Sequence, residues 1–271
     1  MNWSLGGFVS AGAICLTASI TFAGTPLPNP PFSSGGFVPP DSIAFKQEAN
    51  VGKLLTKYAL GLVKCDQSTL IALQLAYEPA NMQKVPDVQA KWTACEGAVL
   101  SKYQIGRDKL LLGGTPTCLD QAGIDAIRAQ IDAQVLLLRP RVFCDGDAAA
   151  PDPITGLNIP DFKNVANGEA AAAKVVTKAG TLAGKCYVLA LKYAFQFAGL
   201  IPPEQLGRVT ACLTKAGIVG DTAMETLDQT QKLPSCLPLA AAEQLVSETI
   251  AVAGQFTDDT DCASPSGAFV E

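Results

Sequence analysis

The chain has 271 residues, of which 48% are apolar and 17% charged, and its net charge is −5. So apolar a composition excludes a disordered chain. The absence of histidine excludes a Ser-His triad, His-ligated zinc and c-type haem attachment.

Charge is unevenly placed, at +2 over residues 46–146 and −6 over residues 147–271. Neither half has the basic face of a nucleic-acid binder. Aromatic side chains are few, at 7%, and alanine is abundant, which favours helices over strands.

Residues 1–23 contain no charged side chain, and the stretch from Leu5 to Ile20 is apolar and small. Thr21-Phe22-Ala23 offers a cleavage site after Ala23. Residues 1–23 are therefore predicted to be a signal peptide, and the chain is expected to be secreted or periplasmic. A membrane anchor is the competing reading, but the span is short and diluted by Gly6, Gly7 and Gly12. No transmembrane segment is expected after cleavage. Residues 24–44 carry Pro26, Pro28, Pro30, Pro31, Pro39 and Pro40, the composition of an extended leader.

Eight cysteines follow: Cys65, Cys95, Cys118, Cys144, Cys186, Cys212, Cys236 and Cys262. An even number in an exported chain implies disulfides. The intervals are 29, 22 and 25 residues in the first half, and 25, 23 and 25 in the second. Flanking residues match too: Lys64-Cys65 with Lys185-Cys186, Thr93-Ala94-Cys95 with Thr210-Ala211-Cys212, and Pro116-Thr117-Cys118-Leu119 with Pro234-Ser235-Cys236-Leu237. Lys53-Leu54-Leu55-Thr56-Lys57 aligns with Lys174-Val175-Val176-Thr177-Lys178 at an offset of 121. The expected fold is all-α, with two tandem disulfide-stapled helical bundles from an internal duplication. The expected division is a four-cysteine unit over 45–146, a linker over 147–161, a second unit over 162–264 and a tail over 265–271.

Apolar periodicity places three helices in each unit. Val51, Leu55, Tyr58, Leu62 and Cys65 form the first stripe. Trp92, Cys95 and Val99 form the second, and Ile124, Ile127, Ile131, Val135 and Leu138 the third, ending before Pro140. In the second unit the stripes are Val175, Ala179, Leu182, Cys186, Leu189 and Tyr193, then Val209, Cys212, Ala216, Val219 and Ala223. Gly217 and Gly220 are expected to loosen that second helix. A third helix over about 237–253 leads into an extended return to Cys262. Hairpin geometry favours Cys65–Cys95, Cys118–Cys144, Cys186–Cys212 and Cys236–Cys262, with first-to-fourth and second-to-third pairing in each unit as the alternative.

No motif for a catalytic site, cofactor or metal is found. Asp145, Asp147 and Asp152, and Asp258, Asp259 and Asp261, are read as solvated acidic loops without EF-hand spacing. The repeated KxxTK segments are read as exposed helix faces, and Trp92 as core. Lys64 and Lys185 would depress a neighbouring thiol pKa only if the cysteines were reduced.

A Lys-Cys helix, a second Cys-bearing helix, a Pro-Ser/Thr-Cys-Leu helix and a closing cysteine over residues 46–262 resemble the repeats of uncharacterised exported bacterial proteins. The resemblance implies bacterial export and a helical fold and supplies no catalytic residues. The expected role is a non-catalytic binding or structural protein, with a protein partner in the envelope as one form of it. The alternatives are a carrier of a small apolar ligand between helices, which needs a cavity, and a hydrolase using carboxylates alone, which needs two facing acids.

Overall fold

The computed structural model describes residues 41–115, 119–197 and 200–260, the last including residues 257–259 as helix backbone alone. The expected signal peptide, most of the leader, Cys118, Cys262 and the tail lie outside the described residues. Six α-helices and no strands are present among the described residues. They are α1 (Ser42–Ala76), α2 (Val85–Gly113), α3 (Gln121–Val142), α4 (Lys163–Gln196), α5 (Pro203–Gln229) and α6 (Leu239–Thr260).

Local chemistry sets several of these ends. The Asp41 carboxylate accepts from the N–H groups of Ile43 and Ala44 at 2.7 and 2.8 Å and starts α1. Asp120 accepts from Gly123 N–H at 2.8 Å and starts α3. A 3₁₀ turn, Pro79–Lys84, joins α1 to α2 at the expected hairpin. Contrary to expectation, α3 continues through Pro140. The ring of Pro140 faces solvent, and the helix still closes with Phe143 N–H donating to Arg139 C=O at 2.8 Å. The loss is confined to the last turn.

The stripes of α1 and α3 are buried as expected: Val51, Leu55, Tyr58, Leu62 and Cys65, and Ile124, Ile127, Ile131 and Val135. Trp92 is core, and Lys53, Lys57, Lys174 and Lys178 are exposed. On α4 the expected stripe is displaced. Ala172, Val176, Ala179, Ala183, Cys186 and Ala190 are buried, whereas Val175, Leu182 and Leu189 are only half-buried. The cause is that α4 packs against α1, α5 and α6 together, so its tightest face needs small side chains. Nor does α5 loosen at Gly217 or Gly220. A Cβ at Gly220 would collide with Val246, so glycine there permits close approach of α5 and α6.

Helix α6 also departs from expectation. Residues 255–260 remain helical rather than forming an extended return. A helix of 22 residues holds its ends about 33 Å apart at ~1.5 Å per residue, far beyond the reach of a disulfide. The pairings Cys118–Cys144 and Cys236–Cys262 are thereby corrected: Cys144 pairs with Cys236, at a Cα–Cα distance of 5.8 Å. Cys65–Cys95 and Cys186–Cys212 pair as expected, across the two hairpins.

The Cys144–Cys236 bridge also ties the two halves together. Helix α1 packs along α4. One core cluster joins Leu70 and Leu73 of α1, Val142 of α3, Val176 of α4, Met224 of α5 and Leu245 of α6. The two four-cysteine segments are halves of one helical body. The segment between them is docked as well. Asp152, expected in a solvated acidic loop, is buried and accepts from Tyr77 Oη at 2.8 Å and Gln89 Nε2 at 2.7 Å. These bonds, with those from Thr155, outweigh burial and hold its pKa below the ordinary value.

Candidate binding cavity between the halves

Where α1 crosses α4, the helices are faced with small residues. Gly52, Thr56 and Ala59 of α1 and Thr177, Gly180 and Gly184 of α4 line the space beside the crossing, and Thr56 faces Gly184. Such side chains allow two backbones to approach but leave space beside the contact. Leu55 and Val63 of α1, Ile131 and Val135 of α3, Val176 of α4 and Phe256 of α6 bound a partly open cavity of about 130 Å³ there. Leu60, Gln134, Leu138, Thr249, Val252, Ala253 and Thr260 also line it. Among the described residues no charged side chain lines it, and the polar contributions are hydroxyls and one amide. The Thr56 hydroxyl donates to Gly52 C=O at 2.8 Å. The buried Thr177 Oγ1 has no hydrogen-bond partner among the described residues.

Glu48 of α1 and Glu169 of α4 are both buried, 121 residues apart. Burial pushes the Glu48 carboxyl up to about 8, and neither of its oxygens has a hydrogen-bond partner among the described residues. Glu169 is pushed up to about 7 by the same cause, moderated by backbone N–H groups of Asp145 and Cys144. The Asp145 N–H···Oε1 distance is 2.7 Å. Glu169 Oε1 also lies 3.8 Å from Cys236 Sγ, a contact rather than a hydrogen bond because a disulfide sulfur carries no proton. Cys144, Cys236 and Glu169 place their ligand-type atoms within 4.8 Å of one another. With both sulfurs in the bridge, the cluster has no thiolate to offer a metal.

Neither glutamate was singled out from sequence. Continuing the 121-residue alignment five positions upstream of Lys53 and Lys174 reaches both, and that coincidence was the available signal. Of the eight cysteines, the structure brings six together in three bridges. All three serve as staples around the cavity rather than as its lining.

A second feature lies between α2 and α3. Arg139 pairs with Asp66 and Glu96, and Trp92 Nε1 donates to Asp66 at 3.0 Å. The Arg139 guanidinium lies 5.4 Å from the centre of the Trp92 ring. Further along, Arg128 pairs with Asp132 beside Tyr58 and Tyr103, and Arg107 pairs with Asp125. Sequence periodicity placed Trp92 in the core but gave no sign of this ion-pair row, because its members are dispersed over three helices. The row borders a groove of about 450 Å³ that includes Glu96 and Asp132. Each of those acids is held by an arginine.

No protein-family model, curated protein or solved structure matches the chain. None of the described helices is long and apolar enough to cross a membrane.

Proposed function

We propose that this is an exported, non-catalytic binding protein that holds a small apolar molecule between its two halves. The observation that carries the reading is the uncharged cavity of about 130 Å³ bounded by α1, α3, α4 and α6. A dry apolar cavity of about 150 Å³ accepts a ligand the size of benzene. A small aromatic compound, or one end of a longer aliphatic chain entering from the open side, suits this volume. Three disulfides support an oxidising destination, in keeping with the signal peptide read from residues 1–23. A duplicated origin is part of the proposal and is supported by the buried glutamates at aligned positions.

The test is native mass spectrometry of the protein isolated from its own host, followed by a cavity-filling variant. A stoichiometric added mass of up to a few hundred daltons is expected, and it should disappear in Gly184→Leu. A bare monomer from the host, together with no binding of benzene or short alkyl probes by calorimetry, would overturn the reading.

A further inference from the structure

The three bridges differ in what surrounds their sulfurs. In Cys65–Cys95 and in Cys186–Cys212 the first cysteine is fully buried and the second half-buried. In Cys144–Cys236 the first is half-buried and the second exposed. A carboxyl oxygen of the buried Glu169 lies within 4.8 Å of both of those sulfurs. Among the described residues neither hairpin bridge has an acid so placed. Glu169 Oε1 is 3.8 Å from Cys236 Sγ and accepts from Asp145 N–H at 2.7 Å. Its Oε2 is buried and has no hydrogen-bond partner among the described residues. Such an atom costs stability, and a proton held on it lacks an acceptor until a thiolate forms beside it.

We infer that the Cys144–Cys236 bridge is a thiol–disulfide exchange site, opened by an external thiol with Glu169 as proton donor to the departing sulfur. The external thiol loses its proton to solvent, and its thiolate attacks the exposed Cys236 Sγ. A new S–S bond forms there as the bond to Cys144 breaks, and the electron pair of the broken bond leaves on Cys144 Sγ. Glu169 gives its proton to that sulfur and later recovers one from solvent. A second external thiol attacks the outer sulfur of the mixed disulfide, and its proton passes to Cys236. Two external thiols are thereby oxidised to one disulfide, and the bridge is reduced to two thiols. Burial raises the Glu169 pKa to about 7, and the charge of Asp145 adds to the effect against the backbone N–H groups of Asp145 and Cys144. No other charged group among the described residues acts on it. The carboxyl therefore still carries a proton to deliver close to neutral pH. Opening the bridge unties the end of α3 from the segment that leads into α6. This site stands whether or not the apolar cavity is occupied.

The test uses the full chain and reduced glutathione from about pH 6 to about pH 8, a span that brackets the Glu169 titration. Samples are quenched with iodoacetamide and mapped for alkylated cysteines. Cys144 and Cys236 should open about tenfold or more faster than Cys65–Cys95 and Cys186–Cys212. Rates are then corrected for the thiolate fraction of glutathione. In Glu169→Gln the Cys144–Cys236 bridge should open about tenfold or more slower than in wild type near pH 6, with the difference gone by about pH 8. A purely structural effect of the substitution would shift the rate by one factor at every pH. Hairpin bridges that open as fast as Cys144–Cys236 in wild type would overturn the proposal, as would a Glu169→Gln effect that does not change with pH.

Discussion

The disulfide from Cys144 to Cys236 joins the C-terminal end of α3 to the segment that leads into α6. It therefore links the fourth cysteine of the first half to the third cysteine of the second. Together with the two hairpin bridges it accounts for six of the eight cysteines.

The remaining pair should be Cys118 with Cys262, the reciprocal link. Cys144 and Cys236 are bonded to each other, which leaves these two cysteines to pair. Non-reducing peptide mapping of the purified protein is expected to recover a Cys118–Cys262 peptide together with the other three. Recovery of a Cys118–Cys144 peptide from native protein would show this account of the bridges to be wrong.

The bridges should differ in their effect on stability. Cys144–Cys236 closes a loop with a sequence separation of 92, whereas Cys65–Cys95 closes one of 30. In the entropic model the first contributes about 4.5 kcal/mol and the second about 3.5 kcal/mol. Urea unfolding of the paired Cys→Ser variants should therefore show the larger loss for Cys144 and Cys236. Equal losses would place the effect in native packing rather than in loop closure.

Stability should fall as the solution is made alkaline. Glu48 and Glu169 titrate near 4.5 in an unfolded chain, but at about 8 and about 7 when folded. Between those limits the folded state binds more protons than the unfolded state, so each rise in pH favours unfolding. Their contribution is fully present below about pH 4.5 and is lost by about pH 8. Glu48→Gln should flatten the dependence of the urea midpoint on pH over this window and should stabilise the protein most at its upper end. A midpoint that rises from pH 5 to 8 in wild type, and is unaffected by Glu48→Gln, would count against burial of an uncompensated carboxyl.

Arg139 should be the most sensitive charged residue. Its side chain is 11% exposed and that of Asp66 only 1%, so Arg139→Met leaves a buried acid with the Trp92 indole as its one donor among the described residues. Loss of one partner of a buried pair costs about 3–5 kcal/mol, readable as a shift in chemical unfolding. Adding Asp66→Leu should recover part of the loss, because the aligned pair in the second half is Tyr187 and Thr257. If the two losses simply add, the residues do not act as a pair.

Much of the fold was legible in the sequence because local periodicity determines which face of a helix is apolar. The stripes of α1 and α3 followed directly from it, and the hairpin bridges followed from comparable distances to a turn. Long-range partnership was not legible. Cysteine spacing is the same whether Cys236 reaches back to Cys144 or forward to Cys262. That choice depended on α6 continuing to Thr260, through Gln255 and Phe256, where no proline intervenes to stop it. The displaced face of α4 has a similar origin. Alanine reads as neutral in a periodicity count, yet alanine is what a helix packed by three neighbours needs. The cavity was foreseen only as a possibility between helices. It lies between units because the small residues of α1 and α4 face one another, and nothing in either helix alone announces that.

The order of synthesis gives the Cys144–Cys236 bridge a consequence for biogenesis. A chain that emerges N-terminus first exposes the Cys144 thiol to oxidant while its partner, 92 residues later, is still being made or threaded. At about 5–20 residues per second that interval lasts roughly 5 to 20 s, long enough for mispairing with whichever thiol is nearest. Cys65 and Cys95 face no such wait, because their hairpin is complete before α3 emerges. Maturation should accordingly depend on a disulfide isomerase for the cross-half bridge and not for the hairpins.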